Sequence, residues 1–186
     1  MSHHSEISEP PISRFIFSHT GFAWFWLIIR VYVGWQWLVA GWGKVISPAW
    51  TGSGAGSVIR GFVSGALQKT GGAHPDVSGW YASFLSNVVS PQSQIFSFVV
   101  AYGELLVGLG LILGAFVGIA AFFGIFMNAN YLFAGTISIN PMLLLIQIFL
   151  VLAWRTAGWY GLDRFLLRWL GTPWKPGDVF RKKNIS

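Results

Sequence analysis

Four strongly polar side chains interrupt four otherwise apolar runs: Arg30 in FAWFWLIIRVYVGW, Glu104 in VVAYGELLVGLG, Asn128 in FGIFMNANYLF and Arg155 in IFLVLAWRTAG. An ionised side chain at the centre of a spanning helix costs about 2.5–3.5 kcal/mol on insertion scales, so such groups face the bundle interior and pair. The types present suit three tasks. A carboxyl such as Glu104 transfers protons, guanidinium and amide donors bind a carbonyl oxygen or an anion, and any of them cross-links helices. Two guanidiniums to one carboxylate leave the group a formal excess of positive charge. Lys44, near the outer end of the first run, is expected to snorkel to the interface, the alternative being that it faces a ligand.

The elements that must position these groups are helices. Four segments reach the ~20 residues that cross ~30 Å of hydrocarbon: 22–46, 94–114, 117–136 and 141–163. Only Ala115 and Phe116 separate the second and third, and SIN precedes Pro141, so both connections are tight turns. At 1.5 Å per residue, Arg30, Glu104, Asn128 and Arg155 lie about 12–16 Å into their spans, which places them in one layer. Arg30, Gly34, Trp37, Gly41 and Lys44 share a face of the first span, Ala101, Glu104 and Gly108 one of the second, and Ala121, Gly124, Asn128 and Gly135 one of the third. Small residues on these faces allow close helix approach. Glu104 is therefore expected to accept from Arg30, Arg155 or both. Such a layer either fixes helix order or binds a quinone head group or an anion.

Composition supports a lipid environment. Of 186 residues 54% are hydrophobic, 10% are charged and eleven are Trp, with a mean hydropathy of +0.58; soluble domains carry about a quarter charged residues. The +6 net charge lies beside apolar segments, where it sets orientation and meets anionic headgroups. No basic patch interleaved with exposed aromatics points to nucleic acid. There are no cysteines, which removes disulfides, thiol redox chemistry and iron–sulfur ligation. Haem is not expected, because only His19 lies near a span, with His74 in a loop and His3 and His4 in the tail. No metal site is expected.

Residues 1–21 read as a polar, flexible N-terminal tail without a signal-peptide layout. Residues 22–163 form the helical domain, and 164–186 a basic tail with Arg164, Arg168, Lys175, Arg181, Lys182 and Lys183. Four spans and the positive-inside rule place both termini in the cytoplasm of a multi-pass cell-membrane protein. The 47–93 loop is then extracytoplasmic. Within it, SVIRGFVSGALQK and GWYASFLSNVV carry apolar residues at helical spacing and read as two interfacial helices roofing the bundle. Arg60, Lys69 and His74 in this loop are candidates to attract an anion. The fold class is thus an all-α, four-helix membrane bundle with an outer roof.

These motifs also resemble the DoxX family: Arg30, Gly34, Gly41 and Lys44 at R-x3-G-x6-G-x2-K, GELLVGLGLILG in the second span, Asn128 in the third, and AGWYGLD from Ala157 to Asp163. The long loop and the NPMLL…LAWRTAGWYGLDR ending look like its DoxD branch. The resemblance covers about residues 22–174. It implies a membrane subunit of a thiosulfate:quinone oxidoreductase, with quinone as cofactor, a second DoxA-type polypeptide as partner, and Glu104, Arg30 and Asn128 near the quinone. The competing reading is a non-catalytic structural or assembly subunit of a larger respiratory or photosynthetic complex.

Overall fold

The computed structural model describes residues 9–169. His3 and His4, and the tail cations Lys175, Arg181, Lys182 and Lys183, lie outside the described residues. Among those described, the chain is all-helical. The N-terminal segment departs from the expected flexible tail. Pro11–Ser18 forms α1, and a single 3-10 turn, Thr20–Phe22, leads into α2, Ala23–Val45. α1 is held because its last carbonyls find partners: Trp26 Nε1 donates to Ile16 O (2.8 Å) and Thr156 Oγ1 to Phe17 O (3.0 Å).

The 47–93 loop contains α3 (Pro48–Thr51), α4 (Ser57–Leu67) and α5 (Gly79–Phe84), the last continuing into a π-helical turn, Leu85–Val89. α4 and α5 lie where helically spaced apolar residues place them. Ile59, Val63, Ala66, Tyr81, Leu85 and Val89 are buried in a core of their own that closes against Ala134 of the bundle. Trp80, placed by its spacing on the same apolar face, is 63% exposed. The glycine- and serine-rich stretch after α3 is ordered, with Gly56 at φ +90° against the backbone of Ser93 and Gln94.

The bundle consists of α6 (Ser93–Leu113), α7 (Val117–Phe133), α8 (Asn140–Leu152) and α2. α2 with α6 is the most extensive contact, α7 with α8 the next, and α6 with α7 joins the two pairs. The α2–α6 seam is close because it is built on glycine. A Cβ on Gly41 would strike the Leu105 backbone, one on Gly108 the Leu38 backbone, and one on Gly34 would meet Leu111 and Ile112 at 2.9 Å. The α6–α7 turn requires Gly114 (φ +65°) and sets Phe116 at φ +49°. Trp26, Val33, Trp37, Leu111 and Leu150 fill the centre.

Two helical stretches, Thr20–Val45 and Ser93–Leu113, are long and apolar enough to cross a membrane, and only a third of each is buried in the protein. The outward faces of all four bundle helices are apolar, as with Trp35, Leu106, Phe122 and Leu145. The fourth span differs from expectation. α8 ends at Leu152, residues 153–162 turn irregularly, and α9 (Asp163–Trp169) closes the described residues. Gly158 and Gly161 explain the break: Gly161 packs on the Gly114 backbone, and a Cβ on Gly158 would overlap the Asp163 carboxylate.

Candidate functional site

The polar residues do not form one layer; the structure sorts them into three groups. The first surrounds the α6–α7 turn. Arg30, 1% exposed, donates through Nη1 to Leu111 O (2.6 Å) and Ile112 O (2.7 Å), and through Nη2 to Tyr160 O (2.9 Å). It therefore caps the carbonyl end of α6, where the helix dipole favours a cation. Asp163 completes the turn from the other side, accepting from Phe116 N (2.6 Å) and Val117 N (2.9 Å) at the start of α7. The expected Arg30–Glu104 pair is absent because the helix ends are staggered. Arg30 lies level with Gly114, so α2 begins about two turns, or ~10 Å, beyond the end of α6.

The second group lies about 16 Å further along α2, where Gly41 meets Glu104 and Leu105. Glu104 is 2% exposed. Its Oε2 receives Lys44 Nζ at 2.5 Å and its Oε1 the Tyr131 hydroxyl at 2.5 Å. Lys44 thus turns inward to a buried carboxylate one helix turn below, instead of snorkelling outward. Its side chain keeps 22% exposure and sits 5.2 Å from the Trp50 ring of α3. Ser97 Oγ donates to Trp50 O (2.7 Å), fixing that ring, and Phe62 of α4 meets Tyr131 edge-on at 6.2 Å. The cluster is a buried carboxylate between two proton-bearing side chains, beneath aromatic groups of the roof.

The third group is amide chemistry. Asn128 Nδ2 lies 2.7 Å from the Gln147 side chain, both residues being fully buried. With the Gln147 amide turned to satisfy its neighbours, Trp37 Nε1 donates to Gln147 Oε1 at 2.9 Å. Gly124 makes room for this amide, since a Cβ there would overlap the end of the Gln147 side chain. Arg155 belongs to none of the groups. It follows the end of α8, is 45% exposed, and faces Glu9 at 3.7 Å and the Trp154 ring at 5.8 Å.

The cations of the 47–93 loop are likewise dispersed. Arg60 Nη1 donates to Ser93 Oγ (2.9 Å), Lys69 Nζ to Gly135 O (2.7 Å), and His74 is exposed. Roof and bundle are joined by Tyr81, whose hydroxyl meets Asn130 O and Oδ1 at 3.0 Å and is pushed by burial up to about 12.

Tyr131, Gln147 and Asp163 were not among the residues expected in the site. Gln147 carried the same signal as Asn128, an amide inside an apolar run (LLLIQIFL), and Tyr131 follows Asn128 by one helical turn. Asp163 gave no local signal, because the helix it caps starts 46 residues earlier.

The fold and these groups define an all-helical membrane protein with a roofed bundle and buried charges. The DoxX family profile matches residues 25–136, and the chain belongs to the DoxX family. No curated protein and no solved structure matches it.

Proposed function

We infer that the chain is a four-span subunit of the DoxD-like branch, with both termini cytoplasmic, acting in a quinone-linked oxidoreductase complex that passes electrons from thiosulfate to quinone. Glu104 carries this reading. Arg30 and Asp163 bond backbone groups at helix ends, which is structural work. Glu104 bonds no backbone group: its partners are the side chains of Lys44, an ammonium that can give a proton, and Tyr131, a phenol that donates a hydrogen bond. A carboxylate buried at this depth in an apolar helix is a functional site by default. The donor set fits a quinone head group, with the Lys44 ammonium for a carbonyl oxygen and the Trp50 and Phe62 rings nearby.

In this reading Lys44 orients and neutralises a carbonyl oxygen, Glu104 holds or releases the proton, and Tyr131 fixes the carboxylate rotamer. A bound quinone supplies the two-electron chemistry. With no cysteines in this chain, thiol-based steps on sulfur fall to a second polypeptide. Arg60, Lys69 and His74 lie on the outer side, where the anionic donor arrives.

The test is to purify the chain with its co-purifying partners, extract quinone, and assay thiosulfate-dependent quinone reduction. Bound quinone together with that activity is the expected result; a preparation with neither contradicts the reading. The geometry of Arg30, Asp163 and the Asn128–Gln147 pair also suits a second reading, a non-catalytic assembly subunit of a larger respiratory or photosynthetic complex. That reading predicts that Glu104→Gln changes assembly and nothing else.

A further inference from the structure

The end of the bundle where α2 and α7 begin exposes two short helices whose outer faces mix arginine with aromatic rings. In α1, Ile16 and Phe17 pack inward toward Trp26, while Ile12 (74% exposed), Phe15 (50%) and Arg14 face away. In α9, Asp163 and Leu167 turn inward. Arg164 and Arg168 then form one i,i+4 stripe, and Phe165 (64% exposed) and Trp169 (89%) an adjacent one. The Arg164 guanidinium lies 4.9 Å from the Trp159 ring, which holds it beside this apolar stripe.

Charge distinguishes the two ends of the molecule. This end presents Arg14, Arg164 and Arg168, with Arg155 set 3.7 Å from the exposed Glu9. At the roof end both Arg60 and Lys69 already donate to protein oxygens. The apolar stripes also continue onto the membrane-facing surface. Phe15 meets Phe22 (5.5 Å) and Phe22 meets Trp24 (6.3 Å), which is exposed at the start of α2; Leu162 N bonds Leu113 O beside the exposed end of α6.

We propose that α1 and α9 together form a binding surface for anionic phospholipid headgroups, with arginines on the phosphates and Phe15, Phe165 and Trp169 at the acyl boundary. A lipid leaflet fits better than an acidic protein, because the α1 stripe runs through Phe22 and Trp24 into the apolar outer face of the bundle. The surface is independent of the redox reading.

The full chain, purified in a neutral detergent, is titrated with phosphatidylglycerol or phosphatidylcholine in mixed micelles while its thermal midpoint is followed. Phosphatidylglycerol raises the midpoint at lower mole fraction than phosphatidylcholine, and about 0.5 M salt removes the difference. The exposed double variant Arg164→Gln/Arg168→Gln keeps its fold and needs about fivefold more phosphatidylglycerol per arginine removed. Phe165→Ser/Trp169→Ser weakens the response to both lipids. Equal responses of the wild type to both lipids overturn the proposal. So does an undiminished preference for phosphatidylglycerol in the arginine variant.

Discussion

Replacing Lys44 with methionine strands the Glu104 carboxylate in an apolar interior with only Tyr131 as partner. Removing one member of a buried pair costs about 3–5 kcal/mol, whereas removing both charges together is far milder. Lys44→Met is therefore expected to unfold the detergent-solubilised protein much earlier in denaturant than wild type, and Lys44→Met/Glu104→Gln to recover most of the loss. A strictly additive pair of losses would show that the two side chains are not coupled. Arg30 differs in kind. Arg30→Met leaves the Leu111, Ile112 and Tyr160 carbonyls without their charged donor, and a loss of about 3 kcal/mol is expected in the same measurement. Arg30 and Glu104 were legible in the sequence as polar residues on inward faces, whereas Lys44, on the face of Arg30, was expected to snorkel to the interface. Their pairing was not legible, because depth arithmetic took the helix ends as flush, and a stagger of two turns moves every partner.

Glycine positions decide how the elements pack. Gly41→Ala places a methyl group against the Leu105 backbone, which has no rotamer by which to yield, and α2 must separate from α6. A loss of about 1–3 kcal/mol is expected. Gly43→Ala, two residues away with open space around it, serves as the control and should leave the thermal midpoint unchanged or higher. Equal effects at both sites would contradict the close-packed seam. The roof supplies a pH test. Burial raises the Tyr81 hydroxyl to about 12 from an ordinary 10.0, so its neutral form is favoured in the folded state. The stabilisation is complete below pH ~10 and is lost as pH rises through about 12. Tyr81→Phe should flatten the stability profile across that window. Helix positions were readable where apolar period and length agree, as in 94–114 against Ser93–Leu113. The fourth span was read too long because Trp154, Ala157 and Trp159 continue the apolar composition. The break rests on contacts of Gly158 and Gly161 with distant residues, which local composition does not encode.

At the scale of the whole molecule, the absence of cysteine makes the wild type a clean background for mapping sidedness. His74→Cys is expected to react with a membrane-impermeant maleimide in intact cells, and Arg164→Cys only after permeabilisation. The reverse pattern would invert the orientation. The all-helical class followed from composition and apolar period and the DoxX family from a motif resemblance, whereas the separation of Arg30 and Asp163, which bond backbone groups, from Glu104, which bonds side chains, emerged only from their partners. That division carries the proposed function: Arg30 bonds the backbone at a helix end, and Glu104 is the residue proposed to serve the reaction. It is tested most directly by comparing thiosulfate-dependent quinone reduction in the Glu104→Gln complex with wild type, alongside thermal midpoint and partner co-purification. The account predicts a fall in kcat of at least about 100-fold, the usual worth of a positioned acid–base group, with assembly intact. Unaltered activity in an assembled Glu104→Gln complex would contradict it.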